Sequence, residues 1–300
     1  MAQRGLRRGR ARGPRRHRLP GPLPQEGARG LADVPGRGLA DGTATALSYT
    51  SADLDEWQYE GIALERSTTE RSPVWMGALW ECPQIIEVDG CHVMVSSVWD
   101  DDVLHYAGYA VGRYADGHFE AESWGQLTFG PSYYAPSFFR DAEGRPCLTF
   151  WMRGIADLEA GWASAHSVPH VLTLDGDVLV ATPHPDLEKY RGGVTADGAL
   201  PALAGDIVWV PERGSELTIT SGGTSALVLS AEDDRLQART PSGGWSVPYT
   251  DGEVRVLLDA QVAEVSTSRG VLGLALEPAA DHYAVAGDGS GTVLVRPLIR

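Results

Sequence analysis

Residues 77–98 read GALWECPQIIEVDGCHVMVSSV, and two features of this stretch decide how the rest of the chain is read. Gln84 to Val88 and Cys91 to Val98 are short runs rich in Val and Ile, separated by Asp89-Gly90. That dipeptide supplies the positive φ angles a tight hairpin needs. The same pattern recurs on both sides. Tyr106 to Tyr114 and His118 to Ser123 flank Asp116-Gly117, and Val168 to Leu174 and Val178 to Thr182 flank Asp175-Gly176. No long window carries a helical apolar stripe, and a turn around Asp186 to Tyr190 is the one helix-like candidate. The chain is expected to be all-β.

Two β-rich blocks can be separated within the 300 residues. Residues 41–193 hold seven of the nine Trp, at positions 57, 75, 80, 99, 124, 151 and 162. Residues 194–300 open on a Gly/Ala-rich linker and continue with aromatic-poor alternating runs such as Glu216 to Thr220, Ala226 to Ser230 and Val254 to Asp259, a pattern that suggests a β-sandwich. Residues 1–40 differ from both. Residues 1–37 carry ten of the 25 basic side chains and two of the 40 acidic ones, a balance of +8, so the remainder carries −23 within a net charge of −15. The Arg/Gly/Pro-rich text has no apolar periodicity with which to offset the entropy of ordering. It is expected to be disordered, and to be upstream or out-of-frame translation preceding the domain that follows, the alternative being a functional basic tail.

The strongly acidic remainder argues against a nucleic-acid partner, because phosphate neutralisation needs a basic surface. No apolar run approaches the roughly 20 residues of a membrane-spanning helix, and no apolar core of a secretory signal is present in the first 30 residues, so no membrane association is expected. Cys82, Cys91 and Cys147 form no C-x-x-C pair. A reducing, cytoplasmic location is expected, with no disulfide framework and no metal site or other cofactor. His166 and His170, separated by Ser-Val-Pro, read as ordinary loop or strand residues.

Glu81 stands between Trp80 and a Cys82-Pro83 corner, an apolar setting suited to a general acid. Read alone, a glutamate on a strand edge fits as well. The wider pattern adds to this. Trp80-Glu81-Cys82-Pro83 resembles the W-E-C-P motif of glycoside hydrolase family 32, the β-fructofuranosidases, levanases and inulinases. Ser48 to Trp57 with Tyr59-Glu60-Gly61 resembles that family's Y-T-S-x-D-L-x-x-W stretch, and Gly130 to Phe139 resembles its G-x-D-F-Y-A-P-Q-x-F segment. Leu148 to Arg153 with Gly161-Trp162-Ala163, Val168 to Leu174, and Val254 to Glu264 resemble later segments in the same order. This order favours fructosides over the five-bladed arabinan and xylan hydrolases.

The resemblance implies a five-bladed β-propeller followed by a C-terminal β-sandwich, with a retaining mechanism on a fructose-containing carbohydrate. Glu81 would be the catalytic acid/base. The family's nucleophile is the Asp of an N-terminal W-x-N-D-P-N-G motif, and a second Asp lies in R-D-P; neither motif occurs in this sequence. At about 40–50 residues per blade, residues 41–193 supply about three blades. An incomplete propeller is therefore expected, N-terminally truncated, with hydrolysis impaired by the absent nucleophile; the alternative is a non-catalytic carbohydrate-binding or inactive fragment. Trp75, Trp80, Tyr134 and Asp100 are the candidate substrate-binding residues. Open propeller edges are expected to invite oligomerisation.

Overall fold

The computed structural model describes residues 25–27, 30–33, 35–289 and 291–299, with side chains from residue 35 onward. The Arg-rich stretch 1–24, expected to be disordered, lies outside the described residues.

Strands begin earlier than composition suggests. β1 (Gln25–Gly27), β2 (Gly30–Asp33), β3 (Gly36–Gly38), β4 (Thr43–Ser51) and β5 (Gln58–Ser67) form one sheet, in which β4 pairs with β2, β3 and β5. Residues 36–38, expected to belong to an unstructured segment, are thus part of the sheet. Their glycines record a close approach rather than looseness. A Cβ on Gly36 would stand 2.0 Å from the Trp80 carbonyl oxygen, and one on Gly38 would stand 2.6 Å from that of Ala78. Only glycine lets this strand reach the chain that carries Trp80.

The next sheet is a four-stranded antiparallel meander: β6 (Leu79–Val88), β7 (Cys91–Asp100), β8 (Val103–Ala115) and β9 (His118–Gln126). Two-residue turns join all three strand pairs. Asp89-Gly90, Asp101-Asp102 and Asp116-Gly117 have φ of 49° and 80°, 47° and 62°, and 50° and 79°. Positive φ at both turn residues matches the right-handed strand twist. The acidic run 100–102 is therefore turn chemistry in its last two members. Trp80, Met94, Val98, Ala110 and Phe119 fill the core of this blade.

β10 (Thr128–Phe129) is followed by β11 (Tyr133–Arg140), β12 (Pro146–Asp157), β13 (Trp162–His166), β14 (His170–Asp175) and β15 (Val178–Pro183). These last five make a sheet of order β11-β12-β14-β15 with β13 on β12. A 3-10 helix, Pro185–Tyr190, falls where the helix-like turn is expected.

The remaining strands are β16 (Ala199–Leu200), β17 (Ala204–Val210), β18 (Glu216–Ser221), β19 (Thr224–Ala231), β20 (Arg235–Thr240), β21 (Gly243–Pro248), β22 (Val254–Asp259), β23 (Val262–Thr267), β24 (Gly270–Ala275), β25 (Tyr283–Gly287) and β26 (Thr292–Pro297). They form two sheets, β10-β24-β23-β22-β17-β26 and β16-β25-β18-β19-β20-β21. Both contribute to one apolar core, with Ile207, Trp209, Val256 and Val265 from the first and Leu217, Ile219, Leu229 and Tyr283 from the second. Two sheets closed over a common core make a sandwich. β10, far away in sequence, enters it by pairing in parallel with β24.

The chain divides into two compact units. Among the described residues, one comprises those up to 126 together with 134–148 and 173–177, and the other comprises 127–133, 149–172 and those from 178 onward. In the second unit Asp206, fully buried, accepts from Arg255 Nε and Nη2 at 3.0 and 2.7 Å and from Arg191 Nε at 2.6 Å. Burial alone would raise this carboxyl, but hydrogen bonds from Arg255 and then Arg191 bring it below its ordinary range. No helix among the described residues is long and apolar enough to cross a membrane.

Candidate active site

The first unit builds its site on a break in β6. Trp80 is fully buried, donates its indole N–H to the Met76 carbonyl at 2.9 Å, and tilts against Trp124 with ring centroids 5.9 Å apart. Immediately after it the register slips. Glu81 pairs with Ser97 but Gln84 pairs with Val95, so Cys82 and Pro83 together oppose Ser96. Cys82 adopts φ 49°, and Pro83 has no N–H to lose from the ladder. Such a bulge bends its strand and re-aims a side chain. Here it leaves Glu81 half-buried beside a core that hides its neighbour Trp80.

Gln84 then ties this strand to β11. Its Nε2 donates to the Pro136 carbonyl at 2.6 Å, and its Oε1 accepts from the Phe138 N–H at 2.8 Å. Both ends of one buried amide are thereby used. Ser97 Oγ, opposite Glu81, accepts from the Ala135 N–H at 2.9 Å, and Ala135 is held at φ 46°. Immediately before these fixed points Tyr134, 2 % exposed, donates its hydroxyl to Glu81 Oε2 at 2.7 Å. The strand pair thus presents an oriented carboxyl group. Desolvation first, and the neighbouring Glu81 carboxylate second, push the Cys82 thiol up, which disfavours a reactive thiolate beside Glu81.

Of the sequence candidates, Glu81 and Tyr134 come together directly, and the others do not join them. Trp80 sits inside the blade core, where its ring supports the bulge and has no exposed face for a sugar. Trp75 precedes β6. Its indole N–H donates to the carbonyl and hydroxyl oxygens of Thr68, both at 3.0 Å, while Arg71 stands 5.6 Å over its ring and His105 meets it edge-on at 4.9 Å. Asp100 ends β7, three residues past Ser97 and so about 10 Å along the strand. Gln84 and Ser97 went unassigned by sequence reasoning. The signal for Gln84 was a Cys-Pro break inside a strand, followed at once by a polar residue in an apolar run.

The second unit holds another glutamate that sequence reasoning did not single out. Glu264 on β23 is 3 % exposed, accepts from the Tyr133 hydroxyl at 2.5 Å and from the Val168 N–H at 2.9 Å, and is raised by burial to about 7.

Residues 36–183 match the glycosyl hydrolases family 32 N-terminal domain. Among curated proteins the chain is 29% identical over 164 residues to a sucrose-6-phosphate hydrolase of Vibrio alginolyticus, covering 48% of this chain and 32% of that protein. It is 26% identical over 195 residues to a fructan 1-exohydrolase of Bromus pictus, covering 55% and 31%. Among solved structures, a Bombyx mori GH32 beta-fructofuranosidase superposes with a TM-score of 0.78 at 19% identity, over 92% of this chain and 65% of that one. A sucrose-6-phosphate hydrolase from Lactobacillus gasseri gives 0.73 at 16%, over 91% and 64%. The matches span about a third of the curated relatives' length and somewhat under two thirds of the structural ones. The matched domain, the order of motifs around Glu81 and the shared all-β, propeller-type fold agree, and the chain belongs to glycoside hydrolase family 32.

Proposed function

We propose that this protein acts on β-fructosidic bonds of sucrose or a fructan, with Glu81 as the acid/base of a retaining reaction. The observation that carries the reading is the Tyr134 hydroxyl on Glu81 Oε2 at 2.7 Å, at the bulge of the Trp-Glu-Cys-Pro motif. In that scheme Glu81 protonates the leaving oxygen and then takes a proton from the attacking water, while a second carboxylate attacks the anomeric carbon. Tyr134 orients the carboxyl through both steps. The N-D-P and R-D-P motifs that would carry the second carboxylate are absent from the sequence, so unaided turnover is expected to be slow.

A second reading, carbohydrate binding without hydrolysis, is favoured by that same absence. The two readings separate in one experiment: fructose release from sucrose, inulin and levan by the purified chain and by Glu81→Gln, beside calorimetric titration of the same sugars. Release that depends on Glu81 supports the first. Binding without release supports the second. A cytoplasmic location, for which three unpaired cysteines speak, and association through open blade edges belong to the same proposal.

A further inference from the structure

The second unit contains a cavity of about 470 Å³, within the roughly 300–1,000 Å³ range of small-molecule sites. Leu187, Tyr190, Leu203, Leu257, Val262 and Ile299 give it an apolar wall, and the ionisable carboxyls on that wall are Glu264 and Asp259. Register explains why these two share it. Leu257 pairs with Glu264 and Asp259 with Val262, so all four face one side of the sheet. The alternate residues Val256, Leu258, Ala263 and Val265 face the sandwich core.

Charges on this outward face are unevenly answered. Asp206 opposes Leu257 in the ladder and receives two guanidinium groups, Arg255 and Arg191. Glu264 receives two donors that carry no charge, the Tyr133 hydroxyl and the Val168 N–H. His170 Nε2 stands 3.9 Å away, but complete burial pulls that imidazole down to about 4, so at neutral pH it is uncharged. Asp259 adds repulsion to Glu264. A carboxylate has about four acceptor sites, and two hydrogen bonds leave capacity for more. Buried carboxylates are ordinarily paired with a cation.

We propose that this cavity binds a small organic ammonium ion, its apolar body against Leu187, Leu203 and Leu257 and its charged nitrogen donating to Glu264 and Asp259. Charge complementarity selects the ligand class. The apolar wall disfavours free sugars, and the two carboxylates disfavour anions. The site is distinct from Glu81 and does not depend on the fructosidase reading.

Calorimetric titration of the full chain with cyclohexylmethylammonium chloride, cyclohexylmethanol and cyclohexanecarboxylate at pH 8 tests it. The ammonium ion is expected to bind at least tenfold more tightly than the alcohol, with no binding of the carboxylate. Glu264→Gln is expected to erase the preference for the ammonium ion, and Asp259→Asn, on an exposed position, to weaken it several-fold. Val262→Trp, which fills the cavity, should abolish binding of both ligands while the circular dichroism spectrum is unchanged. Lowering the pH from 8 to 6 protonates Glu264 amid Tyr133, His170, Asp259 and Arg255, and should weaken the ammonium ion roughly tenfold. Equal affinity for ammonium ion and alcohol, no binding of either, or a preference retained in both Glu264→Gln and Asp259→Asn would overturn the proposal.

Discussion

Tyr133 and Tyr134 are neighbours in β11, and each gives its hydroxyl to a glutamate: Tyr133 to Glu264 at 2.5 Å, and Tyr134 to Glu81 at 2.7 Å. Successive residues of a strand point to opposite faces, so a single dipeptide serves two carboxyl groups of different character. Glu264 is 3 % exposed, lines the wall of the apolar cavity and is raised to about 7 by burial. Glu81 sits half-buried at the bulge between β6 and β7. The same donor on the same kind of acceptor meets deep burial in one case and partial exposure in the other, and acid/base chemistry is proposed for the half-buried one. Accessibility makes the difference.

The largest expected effect separates the two by activity. Glu81→Gln should lower fructose release by about 10²- to 10⁴-fold, the usual contribution of a general acid/base, with folding stability unchanged within about 0.5 kcal/mol. Glu264→Gln should leave the rate alone. A fall in rate in both, or in neither, would break the comparison.

Next come the buried carboxylates of the sandwich sheet. Asp206→Ala strands two guanidinium groups and should cost about 3–5 kcal/mol in a urea titration. Glu264→Gln at pH 7 should cost far less, since no cation is left unpaired. Similar losses in the two variants would contradict the charge assignment on this face.

A third effect lies in the pH dependence of stability. Glu264 releases its proton near 7 when folded and near 4.5 when unfolded, so the unfolded chain holds fewer protons in that window and stability falls as pH rises through it, by about 3 kcal/mol. His170 behaves oppositely. Its folded value near 4 lies below the ordinary 6.5, so stability falls by a similar amount as pH drops from 6.5 to 4. Relative to the parent chain, Glu264→Gln should therefore gain stability between pH 4.5 and 8, and His170→Phe should gain it between pH 7 and 4. Parallel stability curves for parent and variants would dismiss both assignments.

The smallest effects come from the tyrosines themselves. Tyr134→Phe should reduce the Glu81-dependent rate about tenfold with little loss of stability, as expected for one hydrogen bond to a carboxylate. Tyr133→Phe should cost about 1–3 kcal/mol of stability and leave the rate unchanged, because it strips a donor from a buried acceptor. Circular dichroism melts and initial rates on the same preparations check both.

These two sites were not equally legible in the sequence. Local chemistry was readable: the Asp-Gly turns, the 3-10 turn before Arg191 and the break at Cys82-Pro83 each follow from residue types within a few positions. The Glu81 site lay close to that break, and its motif pointed to it. Glu264 meets Tyr133 across 131 residues of chain, and no periodicity within either strand announces such a contact. Gly36 and Gly38 were misread for a similar reason. Composition counts glycine as a source of disorder, whereas here its value is the space it leaves for the carbonyls of Trp80 and Ala78. Parallel pairing of β10 with β24 was invisible too, being two residues long and decided by a distant strand. The Trp80 indole was legible as an aromatic beside Glu81, but burial, which only the assembled blade determines, turns it inward.

Central to the proposed function is that Glu81 donates and accepts the proton, with or without a covalent nucleophile on this chain. Azide can replace such a nucleophile at the anomeric carbon, so fructose transfer from sucrose is measured with increasing sodium azide for the parent chain and for Glu81→Gln. Azide should accelerate sucrose cleavage by the parent and yield a fructosyl azide, while the Glu81→Gln rate stays at background. Azide-dependent cleavage that is as fast in Glu81→Gln as in the parent, or no cleavage by the parent at any azide concentration, would contradict it.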